Sequence, residues 1–324
     1  MAAVFELLVS ADAIVPDYDT AIFRLQHEWG LPDVHPNWVS APPGMGGKWC
    51  FARLQRDRRL APTALEVLAI PYHPPDRADR PSGYAYLPEI AASQGQRPAR
   101  NHSTVVSAQD VMATRARIQA AGGECRLDPP DDTLPFPRLW VGFSAERPDV
   151  YRPATDGGLR IEVIPHQPLA MPSPDPAAPQ PPLALGAPVR IVARTILVDD
   201  LAVTLAALEA NLGWEPQSVA AGGDGVRRAR FRFAYPGSAI LELAQPDDDS
   251  SCEGRFAAEW GGGPFSARIA VTDVAALRER FVAAAVPHEV LPPALPAESP
   301  RLFRPADLDL GTAFEFVEEG PEAA

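Results

Sequence analysis

The sequence predicts an α+β protein of four βαβββ units arranged as two tandem domains, and three observations predict it. An acid between large apolar residues recurs on four strand-like runs: Leu65-Glu66-Val67, Ile161-Glu162-Val163, Leu241-Glu242-Leu243 and Phe314-Glu315-Phe316. On a strand the apolar neighbours face one side of a sheet and the acid faces the other. Upstream of each acid, an apolar run ends in an aspartate and turns into a helical pattern: Asp12, Asp110, Asp200 and Asp273 lie 54, 52, 42 and 42 residues before the matching glutamate. Two landmarks kept in phase are an internal repeat, here a longer pair and a shorter pair. Residues 168–188 form a Pro/Ala-rich stretch with almost no charge. It reads as an extended linker, so that 1–167 and 189–324 become the two domains.

The elements follow in order. Residues 3–10 read as a strand, and Asp17 to Glu28 as a helix with Ile22, Leu25 and Trp29 at helical spacing and Gly30 as its stop. A Pro/Gly loop through Gly46-Gly47 leads to strands near 48–55 and 63–70, and residues 72–100, rich in proline and charge, form a connector. The second unit takes a strand at 102–108, a helix from Asp110 to Ala121 and strands near Leu139 and Leu159. The third takes Ile196-Leu197-Val198, the helix Leu201 to Leu212 capped by Gly213, and strands at 226–233 and 239–243. The fourth runs from Phe265 through a helix at 274–285 to a strand at 312–317. Each unit is too small to hide its own sheet, so the units should pair.

Composition excludes several function classes. A chain of 324 residues with 46% hydrophobic content is long enough for two real cores. A net charge of −13 argues against nucleic acid or an anionic membrane as partner. Cys50, Cys125 and Cys252 are odd in number and widely spaced, which fits a reducing, cytoplasmic compartment better than a disulfide framework. No secretory leader or membrane-length apolar run is visible. One lysine against 28 arginines, with 38 prolines, points to a GC-rich, bacterial source. No Gly-x-Ser-x-Gly, P-loop, dinucleotide fingerprint or His-Glu-x-x-His pair occurs.

The repeat resembles the vicinal oxygen chelate superfamily, which contains glyoxalase I, bleomycin-resistance proteins and extradiol dioxygenases. The residues that carry the resemblance are Leu197-Val198-Asp199-Asp200-Leu201 with Leu212-Gly213-Trp214, Ile269-Ala270-Val271-Thr272-Asp273-Val274, and the four strand glutamates. Gly46-Gly47-Lys48-Trp49 with Thr63-Ala64-Leu65-Glu66 looks glyoxalase-like. The resemblance implies that each pair of units forms a cupped mixed sheet with its helices outside. It also implies a divalent metal held by an early first-strand residue and a last-strand glutamate of each unit. Counting back from Asp200 and Asp273 puts Ala193 and Ser266 at the early positions, so the C-terminal half lacks imidazole ligands there. In the N-terminal half His102 and Glu6 fall within one residue of those positions. Glu66, His102 and Glu162, with Glu6 in addition, would offer one nitrogen and several oxygens, suited to Fe, Mn, Zn or Mg. The bland reading makes His102 a strand-end histidine and Glu66 a solvated sheet residue.

Two further constellations stand out. Arg228, Arg230 and Arg232 alternate with apolar residues and should share the face of Glu242, either to clamp a ligand's carboxylate or phosphate or to pair with glutamate across strands. Trp49, Phe51 and Arg53 alternate beside Glu66 and would line the N-terminal cleft, for stacking on a ligand or for ordinary packing. Three functions stay open on this reading, each with a small organic molecule as partner and with the chain as a monomer or a homodimer. One is a metal-dependent enzyme of glyoxalase, isomerase or dioxygenase type with its site in the N-terminal half. The second is a metal-free, antibiotic-sequestering binding protein. The third is a metal-free enzyme with Glu162 or Glu315 as catalytic base, its pKa raised by burial.

Overall fold

The computed structural model describes residues 4–34, 37–38, 48–56, 59–70, 93–130, 135–147, 150–166, 183–293 and 298–320. The Gly46-Gly47 loop, most of the 72–100 connector and most of the 168–188 linker lie outside the described residues. Each unit has the same strand order: first, last, third, second. In unit 1 these are Ser10–Val15, Ala64–Ala69, Lys48–Ala52 and Asn37–Trp38; in unit 2, Thr104–Ala108, Ile161–Pro165, Arg138–Val141 and Cys125–Asp128. Unit 3 has Pro188–Leu197, Ile240–Pro246, Val226–Phe231 and Ser218–Ala221; unit 4 has Gly263–Val271, Ala313–Glu318, Arg301–Arg304 and Glu289–Leu291. First and last strands are parallel, and the others antiparallel, so every glutamate strand sits in the middle of its unit.

The helices of the four units start where an aspartate carboxylate can take the first free amides. These helices are α1 (Tyr18–Trp29), α2 (Val111–Ala120), α3 (Leu201–Leu212) and, after an extra helix α4 (Cys252–Trp260), α5 (Val274–Ala283). Their N-caps are Asp17, Asp110, Asp200 and Asp273, each accepting a backbone N–H from the first turn. The cap of unit 1 is therefore Asp17 and not Asp12. Asp12 sits inside the strand Ser10–Val15, directly opposite Glu66. With this register the early first-strand position falls seven residues before each cap: Ser10, Ser103, Ala193 and Ser266.

The halves close differently. In the C-terminal half Pro188–Leu197 pairs along its length with Gly263–Val271, fusing units 3 and 4 into one eight-stranded sheet. In the N-terminal half the first strand breaks at Val9: Leu7–Leu8 pairs with unit 2 and Ser10–Val15 with unit 1. The apolar neighbours of every glutamate, Leu65, Val67, Ile161, Val163, Leu241, Leu243, Phe314 and Phe316, are buried in one core against the helices. Burying each such side chain is worth about 1.5–3 kcal/mol, and that fixes the face on which the acids emerge. The core spans both halves. Trp29 of α1 packs on Phe314 and Phe316 of unit 4 at 5.3 and 5.7 Å, and Phe5 packs edge-on against Trp214 of unit 3 at 4.8 Å.

Candidate functional site

The N-terminal cup gathers its polar groups where the first and last strands of units 1 and 2 meet. Asp12, Glu66 and His102 each bring a ligand atom to within 4.8 Å of the others, and all three are buried. His102 Nδ1 lies 2.8 Å from Asp12 Oδ2, and its Nε2 lies 3.4 Å from Glu162 Oε2. Ser10 Oγ donates to both Asp12 Oδ1 (2.9 Å) and Glu66 Oε2 (3.0 Å), and Ser103 Oγ donates to Glu162 Oε2 (3.1 Å). Glu66 and His102 thus converge with Asp12 in one buried cluster, and Glu162 borders it through His102. Among the described residues Glu6 is not part of this group.

The electrostatics follow from burial with few cations close by: His102 is in contact, and Arg126 and Arg194 act on Glu162 and Asp12 from farther away. Desolvation pushes the Glu66 carboxyl up to about 8; His102 and Ser10 oppose that rise, while the negative charges of Asp12 and Glu162 add to it. Burial alone would lower His102, yet Asp12 and Glu66 outweigh it and hold the imidazole well above its ordinary value. Among the described residues no arginine or lysine stands at ion-pair distance from Asp12, Glu66 or Glu162. Three carboxyls therefore face one imidazole. His102 Nδ1, buried and close to Asp12, makes no hydrogen bond of acceptable geometry. An orphaned nitrogen beside two or three carboxylates is a donor set that fits a divalent cation of the Mn, Fe, Zn or Mg kind.

Aromatic side chains surround this cluster. Phe51 is directly opposite Glu66 on the neighbouring strand, and Trp140 is opposite Glu162. Trp49 meets Phe51 edge-on at 5.0 Å and joins Ile14, Leu68, Trp140, Phe143 and Tyr151 in a separate apolar cluster on the cup face. Trp140 Nε1 donates to Asp128 Oδ2 (2.9 Å), which also takes a two-point contact from Arg126. Arg53 is drawn away from the cup: its Nη1 donates to the carbonyls of Ala61 and Pro62 at 3.4 and 2.5 Å. Asp12, Trp140 and Arg126 escaped the sequence reading. The alternation in Arg126-Leu127-Asp128 and Arg138-Leu139-Trp140 is the signal that places them on the glutamate face.

The corresponding cup of the C-terminal half is neutralised and filled. Arg268 spans the two last-strand glutamates, Glu242 Oε1 (3.2 Å) and Glu315 Oε2 (3.1 Å), whereas His102 in the other half stands between Asp12 and Glu162. Arg230 reaches Glu242 Oε2 at 2.8 Å, Arg301 reaches Glu315 Oε2 at 2.7 Å, and Arg228 is held by Asp224 and Glu253 at 2.8 and 2.7 Å. Burial alone would raise Glu315, but Arg268 and Arg301 hold it far below the usual carboxylate range; Glu242 is likewise held down by Arg268, Arg230 and Arg228. This is the opposite of the raised value the sequence led one to expect for Glu315. Arg228 and Arg230 are occupied by acids of their own fold, so the ligand clamp gives way to pairs across strands. Helix α4 then closes the hollow. Cys252 and Phe256 pack against Leu197, Ala244, Phe265 and Phe303, all in the C-terminal half.

No protein-family model matches this sequence, and no curated protein sequence matches it. Solved structures do match. A mutant 4-hydroxymandelate synthase from Streptomyces coelicolor overlays 99% of this chain and 95% of its own, with 14% identity and a TM-score of 0.58. A halotolerant catechol dioxygenase overlays 99% of this chain and 89% of its own, with 12% identity and a TM-score of 0.52. Methylmalonyl-CoA epimerase from Mycobacterium tuberculosis overlays 40% of this chain and 88% of its own, at 26% identity and a TM-score of 0.34. The chain has the vicinal oxygen chelate fold, as two tandem pairs of βαβββ units. Among the described residues no helix is long and apolar enough to cross a membrane.

Proposed function

We propose that the protein is a divalent-metal-dependent enzyme acting on a small organic molecule in the N-terminal cup, with the C-terminal half as its structural support. The observation that carries this reading is the converging, buried set of Asp12, Glu66 and His102, whose ligand atoms all lie within 4.8 Å of one another. Asp12, Glu66 and His102 would hold the ion, with Glu162 at its edge. A metal bound there would supply Lewis-acid polarisation of adjacent substrate oxygens, the chemistry that glyoxalase, isomerase and dioxygenase members of this fold share. The chain's own residues have separate tasks. Trp49 and Phe51 orient an apolar substrate by stacking. Ser10 and Ser103 fix the carboxylates by donating to them. Glu162, bonded to Ser103 and facing His102, is the carboxylate placed to move a proton.

A second reading has its own support. His102 already stands between Asp12 and Glu162 as a charged imidazole would, which suits a metal-free protein that binds its ligand through Trp49 and Phe51. Elemental analysis of tag-free protein separates the two. The metal reading expects about one divalent ion per chain, lost in His102→Ala and Glu66→Gln, together with a rise in melting temperature on adding the ion to chelator-treated protein. Absence of both ion and stabilisation, with ligand binding that survives Glu162→Gln and weakens in Trp49→Ala, would leave the metal-free reading.

A further inference from the structure

A polar cavity lies between the halves, its lining including Asn101, the neighbour of His102. It holds about 260 Å³ and is lined by Ser93, Gln94, Arg97, Asn101 and Arg160 from unit 2 and its approach, and by Trp260 and the Gly262–Pro264 backbone from unit 4. Among the described residues its wall has two arginines and no acid, in a chain whose net charge is −13.

Arg97 is only 7% exposed, and among the described residues no carboxylate is at ion-pair distance from it, Asp199 acting from farther away. Its Nη atoms donate to the carbonyls of Trp260, Gly261, Gly262 and Pro264, and its Nε is buried without any partner. Gly263, at φ 129°, lets the guanidinium approach, since a Cβ there would lie 3.2 Å from its central carbon. Burial and the neighbouring Arg194 act to depress Arg97, opposed by Asp199, and it falls to about 10. Arg194 is itself buried, with Nη2 unpartnered and Nη1 donating only to the Thr312 hydroxyl.

Arg160 faces the same cavity from a strained backbone. Its φ of 51° is left-handed, a conformation that costs a side-chain-bearing residue about 1 kcal/mol. The turn is held by Tyr151 Oη accepting the Arg160 amide (3.1 Å) and by the Arg160 carbonyl accepting from Thr104 (3.0 Å). The side chain lies over the Tyr151 ring at 5.7 Å and donates to Ser93 Oγ at 3.1 Å, with no acid in contact among the described residues.

We infer that this cavity is an anion site, taking a small oxyanion, phosphate or carboxylate, against Arg160, with the positive charge of Arg97 in the same wall. Its volume admits a group of that size and is below that of a pocket for a drug-sized ligand. The anion would accept from Arg160 and offset the charge of Arg97 and Arg160. It would also tie Arg160, two residues before Glu162, to the end of α4, and so join the N-terminal cup to the plug of the other half. The site is independent of whether a metal binds at His102.

The test is calorimetric titration of the full chain at constant ionic strength with inorganic phosphate and, separately, with succinate. Saturable binding of one of them is expected, and the stronger ligand identifies the anion. Arg160→Asn removes the charge with a residue that accepts left-handed backbone more readily, and it should weaken binding at least ten-fold. Arg278→Gln, on the exposed face of α5, should leave it within two-fold. No saturable binding of either anion, or equal binding by wild type and Arg160→Asn, would overturn the inference.

Discussion

The two cups share a fold and a glutamate at the same place in each unit, yet they neutralise those glutamates in opposite ways. In the C-terminal cup Glu242 and Glu315 are surrounded by Arg228, Arg230, Arg268 and Arg301, and α4 fills the remaining space. In the N-terminal cup His102 is, among the described residues, the one cationic group at ion-pair distance from Asp12 and Glu162, with Arg126 and Arg194 acting on Glu162 and Asp12 from farther away. Arg230 stands opposite Glu242 where Phe51 stands opposite Glu66, so at that strand position the difference lies in side-chain identity. A buried acid paired with guanidinium is finished chemistry; a buried acid without a cation is able to take up a proton, an ion or a substrate. On the function proposed above, the self-neutralised half is the support and the other half holds the site.

Removing one carboxylate from each cup should break the likeness most visibly. Glu315→Gln leaves Arg268 and Arg301 buried and short of an acid, and is expected to cost about 3–5 kcal/mol in urea unfolding. Loss of less than 1 kcal/mol would mean that the arginine network is not holding that half. The plug can be tested separately with Gly254→Ala, because a Cβ at that position would lie 1.8 Å from the Asp248 carbonyl oxygen. Relief requires backbone movement, so a loss of about 1–3 kcal/mol is expected, with exchange of the α4 amides speeded more than those of α1.

Acid should sharpen the contrast, provided chelator keeps the chain metal-free. Glu242 and Glu315 lie below their ordinary values, so their contribution is present above about pH 4.5, the unfolded carboxyl range, and is lost as pH falls through their folded values. Glu66 lies above its ordinary value, as does His102. Their contributions are complete below the unfolded values and are lost as pH rises through the folded ones, which for Glu66 is about 8. Hydrogen exchange should therefore show the Ala64–Ala69 strand gaining protection between pH 8 and pH 5, while the Ala313–Glu318 strand loses protection only in stronger acid. Parallel profiles for the two strands would contradict the assignment. The smallest effect belongs to Glu66→Gln in metal-free protein. At pH 7 it replaces a carboxyl already inclined to hold its proton, so its stability should stay within about 1 kcal/mol of wild type.

The sequence by itself determined the repeat, the strand assignment of the four glutamates and the face on which they emerge. The physical reason is that Leu65 and Val67, Leu241 and Leu243, or Phe314 and Phe316 must be buried, and the two-residue strand period then sends the acid the other way. It also contained the caps, although Asp12 resembled Asp110 locally; both follow an apolar run, and only the backbone path shows that the chain stays extended until Asp17. What tertiary structure alone decided is which groups meet each acid. Arg268 and Glu242 are 26 residues apart, Asp12 and His102 are 90 apart, and α4 comes from the connector between units 3 and 4. Charges separated that far in sequence interact only once the sheets curve, so the same φ-Glu-φ pattern became a neutral plug in one half and an electron-rich hollow in the other.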